Sequence, residues 1–172
     1  MIGSIKICRD LTGILFCASI LLMGSATHAE ENDLTSHLPL PRFAALRNGA
    51  VNMRTGPGTR YPIEWVYARR GLPVEVVAEY DIWRRVRDPE GVEGWVNKTE
   101  LTGKRSAMVT GKTHELRVDH SDNSNVIAHL EPGAMGQLVS CSQDWCKVKF
   151  DDFKGYLRKL DFWGAYPNEI FD

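Results

Sequence analysis

The 172-residue chain carries 21 lysine and arginine residues against 22 aspartate and glutamate residues, a formal net charge of −1 at pH 7. Nucleic-acid-binding domains usually carry a clear excess of positive charge, so this balance excludes a general electrostatic surface for nucleic acid. The basic pairs Arg69-Arg70, Arg84-Arg85 and Lys104-Arg105 lie among acidic residues. We interpret them as parts of a solvated, mixed surface.

The first 29 residues have the pattern of a secretory signal peptide. Lys6 and Arg9 precede an apolar run from Leu11 to Met23, and small residues lead to Ala29. A membrane-spanning helix needs about 20 apolar residues, and this run is shorter. We therefore expect cleavage after Ala29, a mature chain without an integral membrane segment, and a periplasmic or secreted protein. Residues 30–42, which include "HLPLPR", read as a mobile leader that either covers a groove or acts as a plain linker.

The mature chain contains two copies of one unit, which is a tandem repeat. Four features recur in both copies, and the sequence distance between equivalent residues changes only where loops differ in length. The matched features are Arg54 and Arg117, Gly71 and Gly133, Trp83 and Trp145, and Gly94-Trp95-Val96 and Gly155-Tyr156-Leu157. This match predicts a first domain at 43–101, a linker at 102–106, a second domain at 107–162 and a tail at 163–172.

Each unit has the pattern of a small all-β domain. In the first, "LPVEVVA" (72–78) and "WRRVRD" (83–88) read as strands joined by a short hairpin connection at 79–82. Asp88-Pro89-Glu90-Gly91 has the residue order of a type I turn, and "EGWV" then returns as a further strand. Short strands at this spacing predict a small barrel or sandwich.

Two of the four cysteines, Cys141 and Cys146, remain after the signal peptide. Two thiols are too few for a structural zinc site, and the histidines of the second unit show no recognised ligand spacing. The match of Trp83 to Trp145 aligns Cys141 with Glu79 and Cys146 with Arg84, across the same hairpin. We therefore predict a disulfide in an oxidising compartment, and no metal or cofactor.

The run "VNMRTGPGTRYP" (51–62) combines glycines with arginines, as phosphate-binding loops do. A dinucleotide fingerprint needs a third glycine and a helix that begins there, but Tyr61 stands at the third position and Pro57 lacks an N–H group. We interpret Gly56 and Gly58 as conformational residues of a tight loop. No Cys–His pair, hydroxyl triad or carboxylate pair has a persuasive catalytic setting, so we predict no catalytic residues and no enzyme.

Aromatic residues are the candidates for ligand binding, because the first unit is too small to bury them all. The predicted groove consists of Tyr61, Trp65, Tyr67, Tyr80 and Trp83, with Asn52 and Arg54 beside them. The sequence pattern fits Trp65 equally well in the core or against a ligand. It places Trp83 and Trp95 in the core or in the wall of the groove. Arg54 and Asn52 could contact a carboxylate, but carbonyls of the loop are the favoured partners, because Arg117 recurs in the second unit.

The first unit closely resembles the bacterial SH3 domain in "VNMRTGPGTRYP", Gly71, "WRRV" and "EGWV" followed by Leu101. The second unit keeps Arg117, Gly133, Trp145, Gly155 and Tyr156 but has "DHSDNSN" in place of Gly-Pro-Gly, and is degenerate. The whole arrangement is similar to exported tandem-SH3 proteins of proteobacteria. The resemblance implies two partly open barrels of five to six strands that bind peptides or cell-wall peptidoglycan.

These observations together predict a non-enzymatic periplasmic binding module with an aromatic groove on its first domain. The expected ligand is a peptide, either a stem peptide of peptidoglycan or part of a cell-envelope protein. Two alternatives stay open: an interaction adaptor or regulator in the envelope that does not bind the wall, and a cell-wall hydrolase with an unrecognised site.

Overall fold

The computed structural model describes residues 36–172, which form two antiparallel β-sheets in succession and no α-helix. The predicted signal peptide and residues 30–35 of the predicted leader lie outside the described residues. No helix within 36–172 is long and apolar enough to cross a membrane. The prediction of an all-β chain with two small SH3-like barrels is confirmed.

Domain 1 is the first sheet, with strand order β3-β2-β6-β5-β4-β1-β7. Its strands are β1 (Arg42–Leu46), β2 (Val51–Arg54), β3 (Ile63–Tyr67), β4 (Pro73–Tyr80), β5 (Trp83–Arg87), β6 (Glu93–Asn97) and β7 (Leu101–Thr102). A 3-10 turn, Lys98–Glu100, separates β6 from β7.

Domain 2 repeats this arrangement in the order β10-β9-β13-β12-β11-β8-β14. Its strands are β8 (Ser106–Val109), β9 (His114–Arg117), β10 (Val126–Leu130), β11 (Met135–Cys141), β12 (Trp145–Phe150), β13 (Phe153–Arg158) and β14 (Phe162–Trp163). Each sheet has seven strands rather than five or six, because the residues after each 3-10 turn pair back onto the first strand of their own domain.

The arginine and the glycine that recur in the sequence have equivalent places in the two domains. Arg54 pairs with Trp95 in domain 1, and Arg117 pairs with Tyr156 in domain 2. Gly71 adopts φ of 81° and donates its N–H to the carbonyl of Leu46, and the equivalent Gly133 adopts φ of 84°. A positive φ is far easier for glycine than for other residues, which explains its recurrence at this turn.

The hairpin and the turn predicted in domain 1 are present. β4 and β5 are joined through Asp81 and Ile82, and Gly91 donates its N–H to the carbonyl of Asp88 at 3.0 Å, which closes a β-turn at the predicted position. Each domain has its own apolar core. Met108 and Met135 of domain 2 also pack against the core of domain 1, so the two small domains share buried surface.

The predicted disulfide between Cys141 and Cys146 is confirmed. The two cysteines are register partners on β11 and β12, with Cα atoms 4.0 Å apart. The equivalent pair in domain 1 is Glu79 and Arg84, which are register partners on β4 and β5 and form an ion pair of 3.1 Å. One domain therefore holds this hairpin with a covalent bond and the other with two opposite charges.

We expect replacement of both Cys141 and Cys146 by serine to lower the free energy of unfolding by roughly 2 kcal/mol, because the bond closes only a short loop. Urea denaturation of the exported protein, with and without reductant, measures this effect. The native wild-type protein should show no thiol reactive towards a maleimide until it is denatured with reductant. Labelling of the native protein would contradict the prediction.

Candidate functional site

Arg54 organises the loop that follows β2. Its Nη1 donates hydrogen bonds to the carbonyl oxygens of Tyr61 at 2.7 Å and of Thr59 at 3.2 Å. In domain 2, Arg117 donates to the carbonyl of Ser124 at 2.7 Å. The two arginines therefore bind loop carbonyls, the role favoured from the sequence. Asn52 is exposed and pairs with Val66 of β3.

The conformational role that the sequence predicted for Gly56 and Gly58 of this loop is not the one that the structure shows. Neither Gly56 nor Gly58 adopts a positive φ. Instead, the ring of Tyr61 lies over Gly56, where a Cβ atom would approach its Cδ1 to 2.5 Å. Gly56 is therefore required for close packing rather than for an unusual backbone conformation, and Tyr61 is half-buried as part of the loop.

Trp65 lies on β3, the strand at one edge of the domain 1 sheet, and is 58% exposed. Ile63 and Val66 of the same strand are also exposed. We call these three residues the β3 strip. Isolated exposed apolar residues are common, but three large ones on a five-residue edge strand form a surface suited to a partner.

Beside the β3 strip is a cavity of about 270 Å³. It is lined by Trp65, Tyr67, Arg69, Leu72, Asp88, Pro89, Glu90, Val92 and Met108. The lining is mostly apolar, and Met108 comes from domain 2. Trp65 and Tyr67 are thus brought together, whereas Tyr61, Tyr80 and Trp83 do not line this cavity.

Tyr67 forms the polar anchor of this cavity. It is only 5% exposed, and its hydroxyl donates to Oδ2 of Asp88 at 3.2 Å. Burial raises the pKa of the phenol well above its usual range, and the Asp88 carboxylate raises it further. Oδ1 of Asp88 accepts hydrogen bonds from the N–H groups of Glu90 and Val92. Asp88 was predicted only as a turn residue, and its contact with Tyr67 joins elements too distant in sequence to predict.

The remaining aromatic candidates lie at the hairpin between β4 and β5. Tyr80 and Trp83 are register partners there. Tyr80 is 61% exposed, whereas Trp83 is 7% exposed and belongs to the buried residues of domain 1. Six of the seven candidate residues therefore fall into three groups: the loop with Tyr61 and Arg54, the cavity with Trp65 and Tyr67, and this hairpin. Asn52, an exposed residue of β2, belongs to none of them.

Domain 2 lacks the β3 strip. By register, Ala128 of β10 occupies the position of Trp65, since Ala128 pairs with Leu116 as Trp65 pairs with Met53. His129 occupies the position of Val66 and lines a polar cavity of about 420 Å³ together with acidic and basic residues. Val126, at the position of Ile63, is still exposed, so domain 2 lacks the tryptophan and the valine of the strip but keeps one apolar residue.

No group of three or more histidine, cysteine, aspartate or glutamate side chains within residues 36–172 is arranged to hold a metal ion. Cys141 and Cys146 are bonded to each other and offer no thiolate.

A family model described as bacterial SH3 domain matches residues 47–103 and again 111–164. Among curated proteins, none matches the chain. Solved structures similar to the chain include NlpC1 from Trichomonas vaginalis, with 9% identity, coverage of 77% of this chain and 49% of that one, and a TM-score of 0.35. NlpC2 from the same organism has 11% identity, coverage of 73% and 48%, and a TM-score of 0.34.

A third similar structure is an NlpC/P60 family protein from Bacillus cereus ATCC 10987, with 18% identity, coverage of 72% of this chain and 57% of that one, and a TM-score of 0.32. The chain thus spans about half the length of the solved structures that it matches.

Proposed function

The chain belongs to the bacterial SH3 domain family, and from this premise we propose that it is a non-enzymatic binding module of the bacterial cell envelope. In this proposal the protein is exported, matures by cleavage after Ala29, and recognises an extended peptide through domain 1. The peptide is a stem peptide of peptidoglycan or an exposed segment of an envelope protein.

The observation that carries this proposal is the β3 strip beside its cavity. An edge strand presents backbone N–H and C=O groups that can pair with a further strand, and an extended peptide can supply that strand. Trp65 would contribute a large contact area at low cost in conformational entropy. The adjacent cavity, with the Tyr67 and Asp88 pair at its base, is the place for one side chain of the peptide.

Domain 2 would serve mainly as a structural partner in this proposal. Its edge strand has Ala128 in place of the tryptophan, while its hairpin is held by a disulfide. Its Met108 also completes the cavity beside Trp65. The binding face of domain 1 would therefore depend on the presence of domain 2.

We expect the exported protein to sediment with purified peptidoglycan sacculi, and Trp65→Ala to weaken this binding at least about tenfold, because exposed tryptophans are frequent hot spots of recognition. Leu160→Ala is the matched control, since Leu160 is an apolar residue of domain 2 that is even more exposed than Trp65. Equal loss in both variants, or wild-type protein that stays in the supernatant at every salt concentration, would contradict wall binding through Trp65.

The second candidate, an envelope adaptor, uses the same strip for a protein segment. Photo-crosslinking from position 65 in living cells separates the two, since it yields either a protein adduct or attachment to sacculi. A hydrolase would release soluble sugar or peptide from sacculi during long incubation, and the proposed binding module should release neither.

A further inference from the structure

A second recognition feature lies at the other end of the domain 1 sheet from the β3 strip. It is a cleft of about 820 Å³, bounded by the end of the leader, by β1, β4 and β7, and by the tail at Tyr166–Glu169. Sites for small ligands commonly enclose about 300–1,000 Å³. The cleft and the cavity beside the β3 strip share no lining residue, so the two features can be tested separately.

The walls of this cleft are largely apolar. Phe43, Val76 and Leu101 line it from domain 1, and Leu38 and Pro39 line it from the leader. Leu38 remains exposed even though it borders the cleft. An open apolar cleft of this size between packed segments is a site where an apolar body would be removed from water.

Basic groups surround these apolar walls. Four basic side chains line the cleft, Arg42, Arg84, Lys98 and Arg105. Within residues 36–172, Glu79 pairs with Arg42 and Arg84, and Glu169 pairs with Arg105. Basic side chains therefore line the cleft, although the chain as a whole is slightly acidic.

Lys98 is the basic group most open to a ligand. Its ammonium has neither an ion pair nor a hydrogen bond with any residue between 36 and 172. Nη1 of Arg42 and Nε of Arg105 are buried donors that also have no acceptor within this range. Both of these atoms are inaccessible to a ligand in the cleft, so Lys98 is the group that is available to an acceptor on a ligand.

We propose that this cleft binds a molecule with an apolar body and a single carboxylate. The carboxylate pairs with Lys98, and the apolar body lies against the exposed Leu38 and Pro39 and the accessible edges of Phe43 and Leu101. Two sources offer this chemistry, a fatty-acyl carboxylate and the free C-terminus of a short apolar peptide. The site requires the leader, domain 1 and the tail together, so an isolated domain of this type would lack it.

Titration calorimetry of the exported protein tests the proposal with two pairs of probes. Decanoate is compared with decan-1-ol, and the tripeptide Leu-Leu-Ala with a free C-terminus is compared with its C-terminal amide. We expect at least one carboxylate to bind one-to-one and at least about tenfold more tightly than its neutral counterpart. The carboxylate that binds identifies the source. Absence of binding by both, or equal binding of the neutral probes, overturns the proposal.

Lys98→Gln should weaken the binding of that carboxylate at least about fivefold and leave sedimentation with sacculi unchanged. Lys112→Gln is the matched control, because Lys112 is an exposed lysine of domain 2 that does not line the cleft. Carboxylate binding by Lys98→Gln as tight as that of the wild type would refute the site. If Trp65→Ala loses sedimentation with sacculi and still binds the carboxylate like the wild type, the β3 strip and the cleft are separate sites.

Discussion

Replacement of Glu79 by glutamine should lower the free energy of unfolding by about 3–5 kcal/mol, the usual cost of removing one partner from a buried ion pair. The Glu79 side chain is 6% exposed, and Oε1 lies 3.1 Å from Nε of the equally buried Arg84. Arg42 pairs with the same oxygen, and the N–H and hydroxyl of Ser36 donate to the carboxylate. The amide would keep the shape of the side chain but remove the buried negative charge that the Arg84 and Arg42 guanidinium groups contact.

The same carboxylate makes the stability depend on pH in the acid range. Burial alone would raise the pKa of Glu79, but the hydrogen bonds from Ser36 and the Arg42 guanidinium outweigh it and lower the pKa from 4.5 to about 2. Because the folded-state pKa is depressed, the stabilisation is complete above about pH 4.5 and is lost as the pH falls towards 2. Urea denaturation at several pH values should show this slope in the wild type and a smaller slope in Glu79→Gln.

Glu131→Gln is the control for both measurements, because Glu131 is an exposed carboxylate of domain 2. A second variant tests the equivalence of the two hairpins. Glu79→Cys combined with Arg84→Cys places a cysteine pair at the register occupied by Cys141 and Cys146 in domain 2. Its oxidised form should be roughly 2 kcal/mol more stable than its reduced form. Glu79→Gln with unchanged stability and an unchanged pH slope would contradict the role of this ion pair.

Features that depend on local pattern were predicted from the sequence. The repeat gave the alignment of Cys141 with Glu79, and the disulfide and the ion pair occupy that one register position in the two domains. The β-turn at Asp88–Gly91 was predicted from residue order alone. The binding of loop carbonyls by Arg54 could be predicted because the equivalent Arg117 is present in domain 2, although domain 2 lacks the Gly-Pro-Gly loop.

The candidate site was predicted only in part, because it depends on which residues meet in space. The seven candidates are close in sequence, yet Trp65 and Tyr67 line a cavity that excludes Trp83, which is buried. The composition of β3 does not reveal that it is an edge strand, since that depends on strand order. The cleft near Lys98 joins the leader, domain 1 and the tail, and no sequence pattern links those three segments.

Gly155→Ala should destabilise the protein by about 3 kcal/mol, at the upper end of the range for overpacked cores. A Cβ atom at Gly155 would lie 2.5 Å from the carbonyl oxygen of Arg117 and 2.9 Å from side-chain carbons of Leu116 and Ile127. The backbone oxygen belongs to β9, which pairs with β13 through Arg117 and Tyr156, so it cannot move without disturbing the ladder. Denaturation in urea, followed by circular dichroism, measures the loss.

The equivalent variant in domain 1, Gly94→Ala, should cost less, about 1–2 kcal/mol. Its nearest obstacles are Cγ and Sδ of Met53, at 2.5 and 2.7 Å, and the backbone oxygen of Arg54 is farther away at 3.1 Å. A methionine side chain can adopt another rotamer, whereas a paired carbonyl cannot. Gly103→Ala, with no atom within 4 Å of the new Cβ, is the control. If Gly155→Ala proved no more destabilising than Gly94→Ala, close approach of the backbone would not be the reason that this glycine recurs in both domains.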